Sequence, residues 1–268
     1  MAMAAITLTT DFGLRDWFVG TLKGVILRIA PRARVIDISH EIPAGDIPAA
    51  AFALAAAYRF FPRGTVHVAI VDPGVGSARA AIAVRTTNYF FVGPDNGVLS
   101  LALAGEEVKR IHRLENDKYF LHPVSCTFHG RDVFAPVAAH LSRGVRIGNL
   151  GPRLQDYQRL VQAPVQEESR GWKGSIVYID RFGNAITNLA RELPVFAGRW
   201  QERKLTVQLA NRRRKSRLPI VEFYQAVSPG EPLALFGSTG FLELAVNAGS
   251  AAALLDLAVG DTVFVRNV

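Results

Sequence analysis

Five short polar clusters in this sequence hold the residue types from which acid–base and ligand-binding sites are built. They are Thr9-Thr10-Asp11-Phe12-Gly13, the run from Asp72-Pro73-Gly74 to Arg79, Gly93-Pro94-Asp95-Asn96-Gly97, Thr127-Phe128-His129-Gly130-Arg131-Asp132, and Asp180-Arg181-Phe182-Gly183-Asn184. Carboxylates, an arginine and a histidine recur among them, and such groups, when positioned, accelerate proton transfer about a hundred- to ten-thousand-fold. Taken singly, each cluster has a plainer reading. Asp11 fits an Asx-turn, Asp72-Pro73-Gly74 is a good turn sequence, and Asp95-Asn96-Gly97 reads as a turn that starts a helix. Gly74-Val75-Gly76 lacks the third glycine of a dinucleotide fingerprint. His40, His67, His112, His122 and His140 read as surface or satisfied histidines. No His-Glu-x-x-His, Cys-x-x-Cys or Gly-x-Ser-x-Gly pattern occurs, so no metal site is expected, and Cys126 has no evident base partner.

The elements that must position these clusters follow two rhythms. In the first half, strand-like runs at 5–10, 35–39, 65–72, 80–86 and 89–92 alternate with helical signals. Phe18, Leu22, Val25, Ile26 and Ile29 recur at helical spacing after Asp16, a candidate cap, and stop at Pro31. Asp46 begins an Ala-rich helix that tolerates Pro48 in its first turn. Further helices are expected near 98–103 and 132–141. The 65–72 run is almost wholly apolar, as a strand covered on both faces should be. This order predicts an α/β fold, an open and mainly parallel sheet with helices on both faces. Ligands of such sheets bind beyond the carboxyl ends of the strands, where the first four clusters fall.

Residues 148–171 read as loop. Beyond them, short β runs at 174–180, 204–210, 232–236, 241–246 and 262–265 are separated by turn residues, and helical periodicity is largely missing. They predict a smaller antiparallel, barrel-like domain. The division is expected at 1–165 and 166–268, with no internal repeat.

With 268 residues, 49% apolar and 20% charged, the chain can bury real cores. One cysteine excludes a disulfide framework. The chain opens without a basic stretch and apolar signal core, and its longest low-polarity run, 47–58, is too short to span a bilayer, so a cytoplasmic protein without membrane contact is expected. The net charge of +8 admits an anionic partner. The densest basic cluster, Arg212, Arg213, Arg214, Lys215 and Arg217, lacks interleaved aromatics and any nucleic-acid-binding signature, and reads as a solvated hairpin tip rather than a nucleic-acid surface.

The clusters taken in order are more specific than any one of them. Thr-Asp11-Phe-Gly, Asp37-Ile-Ser-His, Val71-Asp-Pro-Gly-Val-Gly, Gly93-Pro-Asp-Asn-Gly, Phe128-His-Gly-Arg-Asp, Ile179-Asp-Arg-Phe-Gly-Asn and Gly237-Ser-Thr-Gly-Phe-Leu-Glu-Leu-Ala-Val-Asn together resemble the S-adenosyl-methionine (SAM) hydroxide adenosyltransferase family over nearly the whole chain. That family is related to the halogenating fluorinase and chlorinase enzymes. The resemblance implies hydrolysis of SAM to adenosine and methionine, with SAM as substrate and no cofactor. It implies that Asp72, Arg79 and His129 form the catalytic set and that Asp11 binds the ribose hydroxyls. Asp180, Phe182 and Asn184 then lie around the methionine end and the adenine, and Ser238 and Glu243 fall in the carboxy-terminal wall of the pocket. It further implies a homotrimer with sites at subunit interfaces.

The halogenating relatives carry Tyr where this chain has Asp72, Tyr-Ser where it has His129-Gly130, and an inserted loop after the matching Pro-Gly. A buried halide needs hydroxyl and amide donors in a dry pocket, whereas charged Asp, Arg and His suit a water molecule. The sequence therefore reads as a hydrolase. A halogenase and a non-catalytic nucleoside-binding protein stand as the alternatives.

Overall fold

A computed structural model describes residues 5–169, 171–197, 205–209 and 217–267. The chain divides into two compact units, Met1–Leu160 and Val161–Val268.

The first unit is built on a seven-stranded mixed sheet. Its strands are β1 (Ala5–Thr10), β2 (Arg34–Ser39), β3 (Val66–Ile70), β4 (Ala81–Thr86), β5 (Phe90–Pro94), β6 (Val108–Arg113) and β7 (Arg153–Leu154), in the order β2-β1-β3-β5-β4-β6-β7. The β2-β1-β3-β5 side is parallel and the β5-β4-β6-β7 side antiparallel. Helices α1 (Phe18–Ile29) and α4 (Ala135–Ser142) pack together on one face. There Leu22, Ile26, Val137 and Ala138 join Ile6, Leu8, Val66 and Val68 in one core. Helices α2 (Ile47–Ala57) and α3 (Ser100–Ala104) form a second pair, with α2 against β1, β2 and β3. Both β1 and β3 are buried at every position, and their polar members are small hydroxyls or the enclosed His67 rather than solvent-facing charges.

Two helix starts show how local sequence sets geometry. Asp46 caps α2 by accepting the Ala49 N–H at 2.9 Å, and Pro48 sits in the first turn where its missing N–H costs nothing. Asp16, the expected cap of α1, does not serve: the helix begins at Phe18 with Trp17 in the cap position and no side-chain cap bond. The Phe18 ring, 5.7 Å from Phe12 and 5.3 Å from Phe128, anchors that end instead.

The second unit is antiparallel. Strands β8 (Gln166–Glu168), β9 (Gly171–Ile179), β10 (Ala185–Ala190), β11 (Leu205–Leu209), β12 (Arg217–Pro219), β13 (Pro232–Phe236), β14 (Phe241–Val246) and β15 (Thr262–Asn267) run in the order β12-β11-β15-β9-β10-β14-β13, with β8 on β9. Ile220, just past β12, bridges Ala234 in β13, which nearly joins the two ends of that path into a barrel. Its interior is apolar, from Ile176 and Leu189 through Val207 to Leu244 and Val263. One helical turn, α5 (Ala251–Leu255), is capped by Ser250. Residues 212–215 of the basic cluster lie outside the described residues; the flanking β11 and β12 pair antiparallel. No described helix is long and apolar enough to cross a membrane.

Among the histidines, His67 is fully buried on β3. Its Nδ1 lies 2.8 Å from Thr7 Oγ1, while its ring is enclosed by Tyr58, Phe61, Tyr89 and Phe91. Burial lowers its pKa to about 3. The unfolded chain takes up this proton near pH 6.5 and the folded chain does not, so stability is full above pH 6.5 and is lost as pH falls toward 3. Between pH 7 and pH 4 the loss from this one residue is about 3 kcal/mol. Urea unfolding at the two pH values should show that much smaller a difference in a His67→Phe variant than in the parent.

Candidate active site

Two loops meet at the carboxyl end of the parallel strands because the chain between them has no room for a side chain. After β3, Asp72 opens a turn closed by the Val75 N–H on its carbonyl at 3.1 Å, so the turn reading of Asp72-Pro73-Gly74 holds for the backbone. Gly76 then adopts φ +77°, and a Cβ there would stand 2.3 Å from the Cys126 carbonyl oxygen. Glycine is thus required twice over, for its conformation and for the contact.

The second loop owes its form to Pro136. A helix was expected over 132–141, but Gly130–Phe134 is a π turn that precedes α4. Proline has no N–H to offer the carbonyl of residue 132, and that oxygen instead accepts from the Leu121 N–H at 2.8 Å. The Asp132 carboxylate, fully buried, takes the Ser125 N–H at 2.9 Å and a two-pronged contact from the Arg131 guanidinium. These bonds fix the segment 121–130 that carries His129.

Asp72, Arg79 and His129 form one connected set. Arg79 Nε donates to Asp72 Oδ1 at 2.9 Å and Arg79 Nη2 to Asp72 Oδ2, a bidentate pairing. The same Nη2 lies 2.8 Å from His129 Nδ1. A guanidinium only donates, so His129 Nδ1 accepts, and the imidazole is neutral with its proton on Nε2. Burial first, and the Arg79 cation second, hold the His129 pKa below its usual value, against the opposing pull of Asp72 and Asp132. The Asp72 and Arg79 side chains are only 5% and 11% exposed, so their mutual attraction is weakly screened.

Asp11, at the end of β1, does not close an Asx-turn. Its Oδ2 accepts the Gly45 N–H at 2.9 Å across to the loop before α2, and the Gly13 N–H goes to the His40 carbonyl at 2.7 Å. No described residue hydrogen-bonds the other carboxylate oxygen. Asp11, Asp72 and His129 share a cavity of about 360 Å³ with the rings of Phe12, Phe18 and Phe128. That volume is within the usual range for small-molecule pockets. The three rings pack at 5.3–5.9 Å and supply an apolar wall. Of these rings, Phe18 reads from sequence only as part of a helix's buried face. Asn96, from the Gly93–Gly97 cluster, does not line this cavity: it bonds the Val71 carbonyl at 2.9 Å and so supports the strand end that bears Asp72.

In the second unit, Asp180, Asn184 and Glu243 come together. Asp180 Oδ1 accepts the N–H groups of Phe182 and Asn184, each at 2.9 Å, and Oδ2 accepts from Asn184 Nδ2 at 3.1 Å. Gly183 closes this loop at φ +81°, where a Cβ would strike Ser250. Glu243 is buried and accepts the Tyr224 hydroxyl at 2.8 Å. Burial raises its pKa, the Tyr224 bond lowers it and the Asp180 charge raises it again, with a net rise. The same environment lifts Tyr224 to about 12, through burial, the Glu243 bond and nearby negative charge. Tyr224 carried no signal in the sequence, since nothing in a spacing of nineteen residues ties it to Glu243. Phe182 is 75% exposed and Ser238, at the β13–β14 turn, is exposed as well.

Comparison with known proteins agrees with this pattern over both units. Residues 6–151 match the model of the SAM hydroxide adenosyltransferase N-terminal domain and residues 174–264 that of the C-terminal domain. The chain belongs to the SAM hydroxide adenosyltransferase family. Within this family and its relatives it is 41% identical to an (R)-S-adenosyl-L-methionine hydrolase of Salinispora tropica, over 96% of this chain and 95% of that one. A protein of the same name from Thermus thermophilus is 40% identical, over 96% and 98%. A fluorinase of an Actinoplanes species is 28% identical, over 97% and 96%. The SAM hydroxide adenosyltransferase fold is seen too in the crystal structure of an uncharacterized conserved protein from Thermotoga maritima, which superposes with a TM-score of 0.90 at 37% identity, covering 97% of this chain and 99% of the other.

Proposed function

We propose that this protein hydrolyses SAM to adenosine and L-methionine by attack of water on the ribose 5′ carbon. One observation carries the reading: a connected Asp72–Arg79–His129 set lines or abuts a pocket that also holds Asp11 and an aromatic wall of Phe12, Phe18 and Phe128. Methionine leaves readily because a positive sulfur departs as a neutral thioether. What the reaction lacks is a competent nucleophile, and these residues supply one.

Arg79 occupies His129 Nδ1 and leaves a proton on Nε2, so His129 is a donor that orients the water. Asp72 retains free lone pairs beside its two Arg79 bonds and accepts the proton as the oxygen attacks. Arg79 favours the hydroxide-like state and holds the Asp72 carboxylate in place through its two bonds. As hydroxide character meets sulfonium the opposite charges neutralise each other, so the apolar wall of Phe12, Phe18 and Phe128 favours the transition state over the separated charges. Asp11, with one oxygen held by Gly45, has the other to offer to ribose hydroxyls. In the second unit, Asn184, Asp180, Phe182, Ser238 and Glu243 are the proposed contacts to the adenine and methionine ends. The working form is taken to be a cytoplasmic homotrimer with sites at subunit interfaces, needing no metal or cofactor, and binding neither nucleic acid nor membrane as part of its reaction.

The deciding experiment is incubation with SAM in ¹⁸O-water, with and without chloride or fluoride. Adenosine and methionine should appear in equal amounts, with ¹⁸O at the 5′ position and no change on adding halide. A 5′-halo-nucleoside would make the chain a halogenase, and binding of SAM without turnover would leave only a nucleoside-binding protein.

A further inference from the structure

At the amino end of the parallel strands, opposite the carboxylates of Asp11 and Asp72, lies a second cavity of about 1070 Å³. Strands of five or six residues separate the two ends by about 20 Å. Five arginines line it: Arg28 in the last turn of α1, Arg32 in the turn to β2, Arg85 on β4, and Arg143 and Arg146 after α4. Among the described residues no carboxylate lines it, and none of the five arginines pairs with one.

Part of this charge has a local task. Arg143 Nη1 donates to the Ile29 carbonyl at 3.0 Å at the end of α1, and the two helix C-termini here contribute about one negative charge between them. Five cations exceed that by about four. Arg85 meets Arg110 directly across the β4–β6 ladder, a like-charge pairing that disfavours the fold unless an anion sits nearby. The Arg85 guanidinium also lies 4.6 Å from the Phe90 ring centroid, so the ring fixes its plane and its edge donors remain free. The excess charge of the whole chain is +8, so this one concavity gathers a large share of it.

We propose that the cavity binds a small polyphosphate, a compound carrying two or more adjacent phosphate groups. Guanidinium forks match phosphate oxygens two at a time, and a single phosphate would leave most of the charge unanswered. Nucleic acid is disfavoured because, among the described residues, Phe90, half-buried under Arg85, is the one aromatic ring lining the cavity and offers no platform on which bases could stack. The site is independent of the SAM reading.

The test is calorimetric titration of the full chain with sodium tripolyphosphate at 150 mM NaCl, and in parallel with a nucleoside triphosphate and a single-stranded oligonucleotide. Saturable binding of one tripolyphosphate per chain is expected, weakened about tenfold for each arginine removed and so about a hundredfold in Arg32→Ala/Arg146→Ala. Equal affinity for tripolyphosphate and the nucleoside triphosphate would identify the phosphates alone as the ligand group. Tighter binding of the nucleoside triphosphate would add a contact to the base. Because both substituted residues are exposed and remote from Asp72, the double variant should hydrolyse SAM at the parent rate, which verifies its fold. No saturable binding, unchanged affinity in the folded double variant, or binding confined to the oligonucleotide would overturn the proposal.

Discussion

Asp72→Asn is expected to lower kcat for SAM hydrolysis by about a hundred- to ten-thousand-fold while leaving adenosine binding within a few-fold of the parent. The asparagine keeps the shape and one acceptor oxygen, so Arg79 retains a partner and the turn 72–75, which uses the backbone, is undisturbed. What disappears is the group able to take a proton from water. His129 cannot substitute, because its Nδ1 accepts from Arg79 and its Nε2 carries the proton. An interaction present only in the transition state should lower kcat and kcat/KM equally. Steady-state kinetics beside adenosine titration would decide it: turnover within tenfold of the parent removes Asp72 from the role of base. A rise in KM with kcat unchanged would make it a binding residue instead.

The elements that present Asp72 and Asp11 are legible in the sequence because β1 and β3 are buried on both faces and therefore written in β-prone residues without a single charge. The cap of α2 is legible for a similar reason: Asp46 and Pro48 act within one turn. Features that depend on distant partners are not. Strand β6 reads Val-Lys-Arg-Ile-His-Arg, and only its pairing between β4 and β7 makes it a strand. Strand β10 follows the loop that Asp180 ties together, so the polar cluster before it masks its start. Asp16 has the right type and place for a cap, yet the packing of Phe18 against Phe12 and Phe128 sets the helix start one residue later, with Trp17 in the cap position. The π turn at Gly130–Phe134 needs both Pro136 and an acceptor-seeking Leu121 N–H, which no local pattern pairs. In the site, the motif residues Asp72, Arg79 and His129 stand out by type, but the order of their bonds, and hence which nitrogen of His129 is free, exists only in three dimensions.

That order of bonds gives Arg79 the largest combined effect. Arg79→Met should abolish measurable hydrolysis and also lower the unfolding temperature, by about 10 °C. The Asp72 carboxylate, 5% exposed, is left without its cation, and an orphaned charge from a buried pair costs about 3–5 kcal/mol. The loss should depend on pH with a definite sign. In the parent, the Arg79 cation helps hold the His129 pKa below its usual value, and in the variant that push is gone while the attraction of Asp72 remains. The variant's folded-state His129 pKa therefore rises from its position in the parent, with burial still opposing protonation, and the imidazolium, where it forms, supplies part of the missing positive charge. Relative to the parent, the stability recovered in this way appears as pH falls below the unfolded pKa of about 6.5 and is absent above it. The variant should consequently be most impaired, relative to the parent, in mildly alkaline solution. Asp72→Asn/Arg79→Met, which buries no unpaired charge, should regain most of the unfolding temperature and none of the activity. NMR titration of the His129 ring and thermal unfolding across pH 5.5–8.5 read these effects separately. An unchanged His129 titration in Arg79→Met, or a double variant no more stable than the single one, would show that Arg79 does not join Asp72 to His129 in the working protein.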